Sequence, residues 1–214
     1  MFRILAIVIS IFFSAPANSQ SGPFEAPQFT VETSFEFHGY GKRYKFSGDL
    51  KSEREWELSY EYAGTTDDGY YKFGKWEVDP ESFGIRRKGK SISASSKARI
   101  RLRFPFTFGD TWSYTFEGSS TVERCVSFET EMTATVAEQM DTIEVDGENV
   151  EVVWVTHEGE WESMGDCGTG KREFVYAYAP SRGFWVKFEG KMYHPDGEVY
   201  RHDYLEMVDY KSGN

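Results

Sequence analysis

Hydrophobic side chains occupy every second position over long stretches of this chain. Residues 29–37, 53–62 and 112–116 place aromatic and aliphatic side chains at alternate positions, with polar residues between them. Successive side chains of a strand point to opposite faces, so a period of two is typical of antiparallel strands with one buried face. The pattern recurs almost to the C-terminus, and it predicts an all-β protein.

Turn-forming residues divide this pattern into strands. Asp146-Gly147 is a strong two-residue hairpin signal that predicts pairing between residues 143–145 and 150–155. Pro195-Asp196-Gly197 predicts a second hairpin, joining residues 184–193 to residues 199–207. We further expect a turn at residues 39–42, a β-bulge at Gly74 and a short strand at residues 84–87. Residues 134–143 also fit a helical spacing, so a short helix is the alternative to a strand there.

Composition supports the same fold class. The chain has 18 Phe, 13 Tyr and 6 Trp, whereas after the N-terminal segment leucine occurs only as Leu50, Leu58, Leu102 and Leu205. Aromatic residues favour strands and leucine favours helices. We therefore expect few or no helices in the folded part of the chain.

The N-terminus has the features of a secretory signal peptide, which we place at residues 1–19. Arg3 is followed by an apolar run of about ten residues and then by small residues, and cleavage after Ala17 or Ser19 fits equally well. The run is shorter than the roughly 20 residues that a membrane-spanning helix needs. We expect an extended lead-in at residues 20–27 and a single antiparallel β domain at residues 28–210. Any subdivision of this domain should lie near residues 79–97. We also expect the protein to be periplasmic or secreted, with no transmembrane segment in the mature chain.

The charge of the chain excludes one large class of partner. The formal net charge is −11, and removal of Arg3 with the signal peptide makes the mature chain still more negative. A surface this acidic repels phosphate backbones and anionic membrane faces. We therefore expect no nucleic-acid partner.

Two cysteines, Cys125 and Cys167, remain in the mature chain. An exported protein meets an oxidising compartment, so we predict a disulfide bond between them. Closing a loop of this size stabilises a fold by about 4 kcal/mol in the chain-entropy model if the geometry is unstrained. A pair of free or metal-binding thiols is the alternative.

Residues 98–104 combine an aliphatic face with a cationic one. Ile100 and Leu102 alternate with Arg101 and Arg103. The first interpretation is a strand whose charged face is solvated, because charge stripes usually lie on exposed strand surface. The second is a site for an acidic partner or a phosphate head group.

The sequence contains no catalytic or metal-binding motif that we consider specific. The four histidines show no spacing that groups them with cysteines or carboxylates as a zinc site. Glu158, Glu160 and Glu162 share one strand face, but acid–base catalysis needs a desolvated carboxylate, and nothing nearby predicts one. We expect no cofactor, no metal site and no enzymatic activity.

Two short motifs resemble sequences of exported bacterial proteins. Residues 104–116, FPFTFGDTWSYTF, resemble the Phe-Pro-Leu-x-x-Gly-x-x-Trp signature of a loose group of uncharacterised exported bacterial β proteins. Residues 178–187, YAPSRGFWVK, resemble the later signature of that group, an aromatic residue, Ala and Pro, then Gly and a Val-Lys strand. The likeness covers about residues 98–210. Between the signatures, residues 136–140 lack the Pro and Gly of the group's usual turn.

This resemblance implies a curved antiparallel sheet that closes into a half-open barrel or sandwich in the cell envelope. It also implies a distant similarity to periplasmic carriers of lipoproteins and lipids, and no established catalytic residue. Both motifs can equally be structural corners, because Pro105 interrupts a ladder, Gly109 permits a positive φ and Trp112 begins the next strand.

Three classes of function remain. The first is a noncatalytic envelope protein that binds a lipid, another apolar ligand or an envelope protein through its aromatic inner face. The second is a carbohydrate-binding or structural interaction module with exposed rings, and the third is a hydrolase with an unrecognised site. For the first class, the candidate ligand-binding residues are Phe104, Phe106, Trp112, Tyr178 and Trp185.

Overall fold

The computed structural model describes residues 22–45, 47–87, 100–119, 127–163 and 168–213. All regular structure in these ranges is strand, which confirms the all-β prediction. The strands are β1 (Ser34–Tyr44), β2 (Leu50–Thr65), β3 (Tyr71–Phe73), β4 (Trp76–Val78), β5 (Ile85–Arg87), β6 (Thr111–Ser119), β7 (Ser127–Val136), β8 (Asp141–Val145), β9 (Glu148–Ser163), β10 (Thr169–Ala179), β11 (Phe184–Tyr193) and β12 (Val199–Lys211).

The strands form one antiparallel sheet in the order β5-β4-β3-β2-β1-β12-β11-β10-β9-β7-β6, with β8 paired to β9 outside this path. The first and last strands lie side by side in the middle of the sheet, where β1 pairs with β12 from Ser34 opposite Lys211 onward. Within the described ranges no pairing joins β5 to β6, so the sheet does not close.

The sheet is strongly curved. Tyr60 on β2 and Phe184 on β11 are three strand spacings apart, which is roughly 14 Å on a flat sheet. Their ring centroids nevertheless lie 5.6 Å apart. Phe83, just before β5, likewise contacts Tyr178 of β10 with the centroids 6.5 Å apart. The result is a half-open barrel with a concave inner face.

The hydrophobic core fills part of this concave face. Phe184 is fully buried and stacks on Phe35 with ring centroids 4.5 Å apart. On β9 the side chains of His157 and Trp161 are buried, whereas those of Glu158 and Glu160 are exposed on the outer face. This alternation of buried and exposed side chains explains the period of two in the sequence. Burial of the rings on one side of a curved sheet is therefore what the alternation encodes.

Both predicted hairpins are confirmed. Asp146 and Gly147 have φ values of 52° and 75°, and Val145 lies opposite Glu148 in the β8–β9 pair. Two positive φ values are what a two-residue hairpin turn requires. In the β11–β12 hairpin, the His194 N–H donates to the Glu198 carbonyl at 2.7 Å.

The prediction for the first strand is wrong at both ends. β1 starts at Ser34 rather than at residue 29, and it continues through residues 39–42, where we expected a turn. A Cβ on Gly39 would lie 2.4 Å from the indole of Trp56 on the neighbouring strand. Glycine at this position therefore allows the Trp56 ring to approach the β1 backbone closely, and it does not mark a turn.

Other local predictions had mixed outcomes. The short strand at residues 84–87 is confirmed as β5. Gly74 lies in the turn between β3 and β4 and not in a bulge. Residues 134–143 contain the end of β7 and the start of β8 and no helix, and residues 100–104 are not in a strand.

Two predictions fall outside the described residues. These are the signal peptide at residues 1–19 and the disulfide between Cys125 and Cys167. They stay predictions. Among the residues that the structure describes, no helix is long and apolar enough to span a membrane.

Candidate functional site

The concave face contains a hollow of about 240 Å³, which we call the central hollow. Its wall consists of side chains from β2, β10, β11 and β12, together with Ile85 of β5 and Arg101. The wall is mostly aromatic, with Tyr60, Tyr176 and Trp185 buried at its base. This combination of apolar rings with a few polar groups is typical of small-molecule sites.

Two glycines let large side chains of the wall approach the sheet closely. Gly39 on β1 lies between Trp56 and Leu205 in one cross-strand row, and Gly190 on β11 lies between Phe174 and Asp203 in the next. Large side chains therefore alternate with positions that have none. These neighbours occupy the space over the two glycines, since a Cβ at Gly39 would lie 2.4 Å from Trp56 and a Cβ at Gly190 would lie 2.7 Å from Phe188.

Arg101 reaches the hollow from a segment that crosses the open side of the sheet. The backbone N–H groups of Arg101 and Leu102 both donate to the Ser82 carbonyl, at 3.0 and 3.2 Å, and that of Phe104 donates to Glu81 at 2.8 Å. Leu102 is fully buried, whereas Arg101 lines the hollow and its Nη1 donates to the Phe83 carbonyl at 3.2 Å. The predicted solvated cationic face is thus wrong for Arg101.

A pair of opposite charges also lines the central hollow. Arg201 and Asp203 lie two residues apart on β12, and Arg201 donates to Asp203 from Nε at 2.6 Å and from Nη2 at 2.5 Å. This pair neutralises itself. Burial raises the pKa of Tyr60 to about 12, although the nearby Arg101 cation acts to lower it.

A buried polar cluster lies farther along the same concave face. His157 is fully buried, and a hydrogen bond of 2.9 Å joins its Nδ1 to the Tyr114 hydroxyl. Burial lowers the pKa of His157 to about 3, although a hydrogen bond to the Arg101 backbone acts to raise it. The imidazole is therefore neutral at pH 7, and a base this weak is poorly matched to proton transfer near neutrality.

The five candidate ligand-binding residues do not converge on one cavity. Trp185 lines the central hollow. Phe104, Phe106 and Trp112 line a second hollow of about 400 Å³ at the start of β6. Tyr178 is buried against two of them, with ring centroids 5.4 Å from Phe104 and 5.6 Å from Phe106. Three of the five candidates therefore line the second hollow, and only Trp185 lines the central hollow.

Sequence reasoning missed most of the central hollow. The alternation predicts that Trp56 lies in a strand. It does not predict that Trp56 lines the central hollow, because the position of its ring depends on glycines in a different strand. Arg101 lies between Ile100 and Leu102, and Leu102 is fully buried. The alternation with arginines instead favours a solvated strand face.

Trp185 is the candidate residue that lines the central hollow. Its side chain is 3% exposed, and its ring centroid lies 4.4 Å from that of Phe37. Among the described residues its indole N–H has no hydrogen-bond partner. In the same ranges no three His, Cys, Asp or Glu residues form a group that could hold a metal ion.

Comparisons with known proteins give structural neighbours but no family. No protein-family model matches the chain, and a search of curated proteins gives no match. Among solved structures, a proposed lipoprotein from Parabacteroides distasonis has a TM-score of 0.44 at 14% identity, over 90% of this chain and 100% of that one.

Two further solved structures are similar at the same level. The hypothetical lipoprotein YmcC from Escherichia coli has a TM-score of 0.42 at 8% identity, over 84% of this chain and 85% of its own. A proposed exported protein with a YmcC-like fold from Bacteroides fragilis has a TM-score of 0.36 at 12% identity, over 89% of this chain and 100% of its own. Similarity at this level assigns no function, which must be argued from the site.

Proposed function

We propose that this protein is a noncatalytic, exported binding protein of the cell envelope that holds a small apolar ligand in the central hollow. The observation that carries the proposal is the hollow itself, whose base is lined by the buried rings of Tyr60, Tyr176 and Trp185. Protein interiors are normally close-packed, so an aromatic space open to solvent at a defined place favours occupation by another molecule. Export rests on the predicted signal peptide.

The carbohydrate-binding alternative receives less support. Sugar-binding modules of the kind considered would present rings on a solvent face. In the described ranges the exposed large hydrophobic side chains are Val31, Leu50 and Val208, and none of them is aromatic. Rings that point into a concave face favour an enclosed apolar ligand instead.

The hydrolase alternative also receives less support. Glu158 and Glu160, which could have formed a carboxylate pair, lie on the exposed outer face. The buried His157 has a pKa of about 3, and its Nδ1 contacts the Tyr114 hydroxyl and no carboxylate. These features agree with a protein that binds without catalysis.

Native mass spectrometry of gently purified protein tests the proposal. We expect the wild type to carry a bound small molecule. Leu205→Trp should abolish this bound mass, because Leu205 lines the central hollow and a larger ring would occupy it. Val208→Trp is the matched control, since Val208 is 42% exposed and on the outside of the same strand. It should keep the bound mass.

Two results would contradict this function. The first is wild-type protein without a bound mass that also gives no heat of binding when titrated with 1-octanol. The second is equal retention of ligand by the Leu205→Trp and Val208→Trp variants. Circular dichroism on both variants establishes that they are folded before the comparison is made.

A further inference from the structure

The central hollow has one cation that its own wall does not neutralise. Three charged side chains line it, Arg101, Arg201 and Asp203. Arg201 is held by Asp203 at 2.5 Å, so this pair contributes no net charge. Arg101 has no carboxylate within ion-pair distance in the described part of the chain. The wall therefore carries a net positive charge in a strongly acidic protein.

The contacts of Arg101 leave much of its guanidinium available. Nη1 donates to the Phe83 carbonyl at 3.2 Å, which uses one of the five N–H donors of this side chain. The remaining donors suit a carboxylate or phosphate, because a planar guanidinium matches the oxygens of both groups. Arg101 is half-buried, so its charge is partly desolvated and an anion in the hollow would compensate it.

The surroundings of Arg101 are apolar on the side of the sheet. Tyr60, Tyr176 and Trp185 are buried, and Phe188 and Leu205 are partly buried farther along the wall. The site thus joins a cationic group to an apolar surface. A molecule with an anionic head and an apolar tail is complementary to this site, because the head pairs with the cation and the tail packs on the apolar surface.

We propose that the ligand of the central hollow is a small single-chain amphiphile whose anionic head group, a carboxylate or phosphate, pairs with Arg101. Its apolar chain lies along Trp185, Phe188 and Leu205. This inference rests on the proposed function and adds the chemical class of the ligand. The volume of about 240 Å³ favours a short chain.

Isothermal titration calorimetry with three matched probes tests this inference. Octanoate and octyl phosphate carry the anionic head groups, and 1-octanol has the same chain without the charge. The wild type should bind at least one of the two anionic probes about ten- to a hundredfold more tightly than 1-octanol, as expected for a charge-assisted hydrogen bond. The probe that binds more tightly identifies the preferred head group.

Variants of the two neighbouring arginines separate Arg101 from the general charge of the protein. Arg101→Gln should remove the preference for the anionic probes and leave 1-octanol binding unchanged, whereas Arg101→Lys should keep part of the preference. Arg103→Gln is the matched control, because Arg103 is exposed and does not line the central hollow. It removes the same charge and should keep the wild-type preference.

The outcomes distinguish this inference from the function on which it rests. If none of the three probes binds to the wild type, the proposed function fails. If 1-octanol binds as tightly as both anionic probes, or if Arg101→Gln keeps the anionic preference, the ligand class is wrong while the apolar site stands. Equal loss of preference in Arg103→Gln and Arg101→Gln would also overturn the role of Arg101.

Discussion

Acidification should destabilise this protein through His157, which is fully buried on the concave face. Burial lowers its pKa from 6.5 to about 3. Between these two values the unfolded chain binds a proton that the folded chain does not, so the free energy of unfolding decreases as the pH falls through this window. One pKa unit corresponds to about 1.36 kcal/mol, so a change from pH 7 to pH 5 removes about 2 kcal/mol at this residue.

Urea unfolding at pH 7, 6 and 5 measures this effect. The informative variant is His157→Gln, whose side-chain oxygen can still accept a hydrogen bond from the Tyr114 hydroxyl. Over this range its free energy of unfolding should decrease by about 2 kcal/mol less than that of the wild type. His38→Gln replaces an exposed histidine on β1 and should keep the wild-type slope. An equal decrease in the free energy of unfolding of the wild type and of His157→Gln between pH 7 and pH 5 would refute this reasoning.

Three further substitutions test the packing and turns. Phe184→Ala should lower the free energy of unfolding by about 3–5 kcal/mol in urea titrations, because it removes a fully buried ring from the centre of the core. Gly39→Ala should cost about 1 kcal/mol and displace the Trp56 indole, and a double-mutant cycle should show a smaller cost in a Trp56→Ala background. Gly147→Ala should cost about 1–2 kcal/mol in thermal unfolding because φ is 75°, while Gly22→Ala, where a Cβ has open space, should cost almost nothing.

The features that the sequence predicted well are those governed by local rules. The Asp146-Gly147 turn follows from the two positive φ values that a short hairpin needs, and such a requirement can be recognised in a few residues. The burial of His157 and Trp161 opposite exposed glutamates follows from the pleat of a strand. Neither depends on where the rest of the chain lies.

The features that it did not predict depend on distant contacts. Glycine can indicate a turn or a close approach, and the meaning of Gly39 is decided by Trp56 on another strand. Arg101 lines the central hollow because its segment is hydrogen-bonded to Ser82 across the open side of the sheet. Hydrophobic alternation identifies strands but not the gaps between side chains of different strands, and so it could not locate the hollow.

The most direct test of the central claim is a titration of ¹⁵N-labelled protein with 1-octanol, followed through the indole N–H resonances. We predict that the resonances of Trp56 and Trp185, which line the central hollow, shift and saturate together. The resonance of Trp154, whose N–H donates to Asp141 at 3.0 Å away from the hollow, should stay unchanged. Saturable shifts confined to Trp154, or no saturable shift at Trp56 and Trp185, would contradict the assignment of the concave hollow as the ligand site.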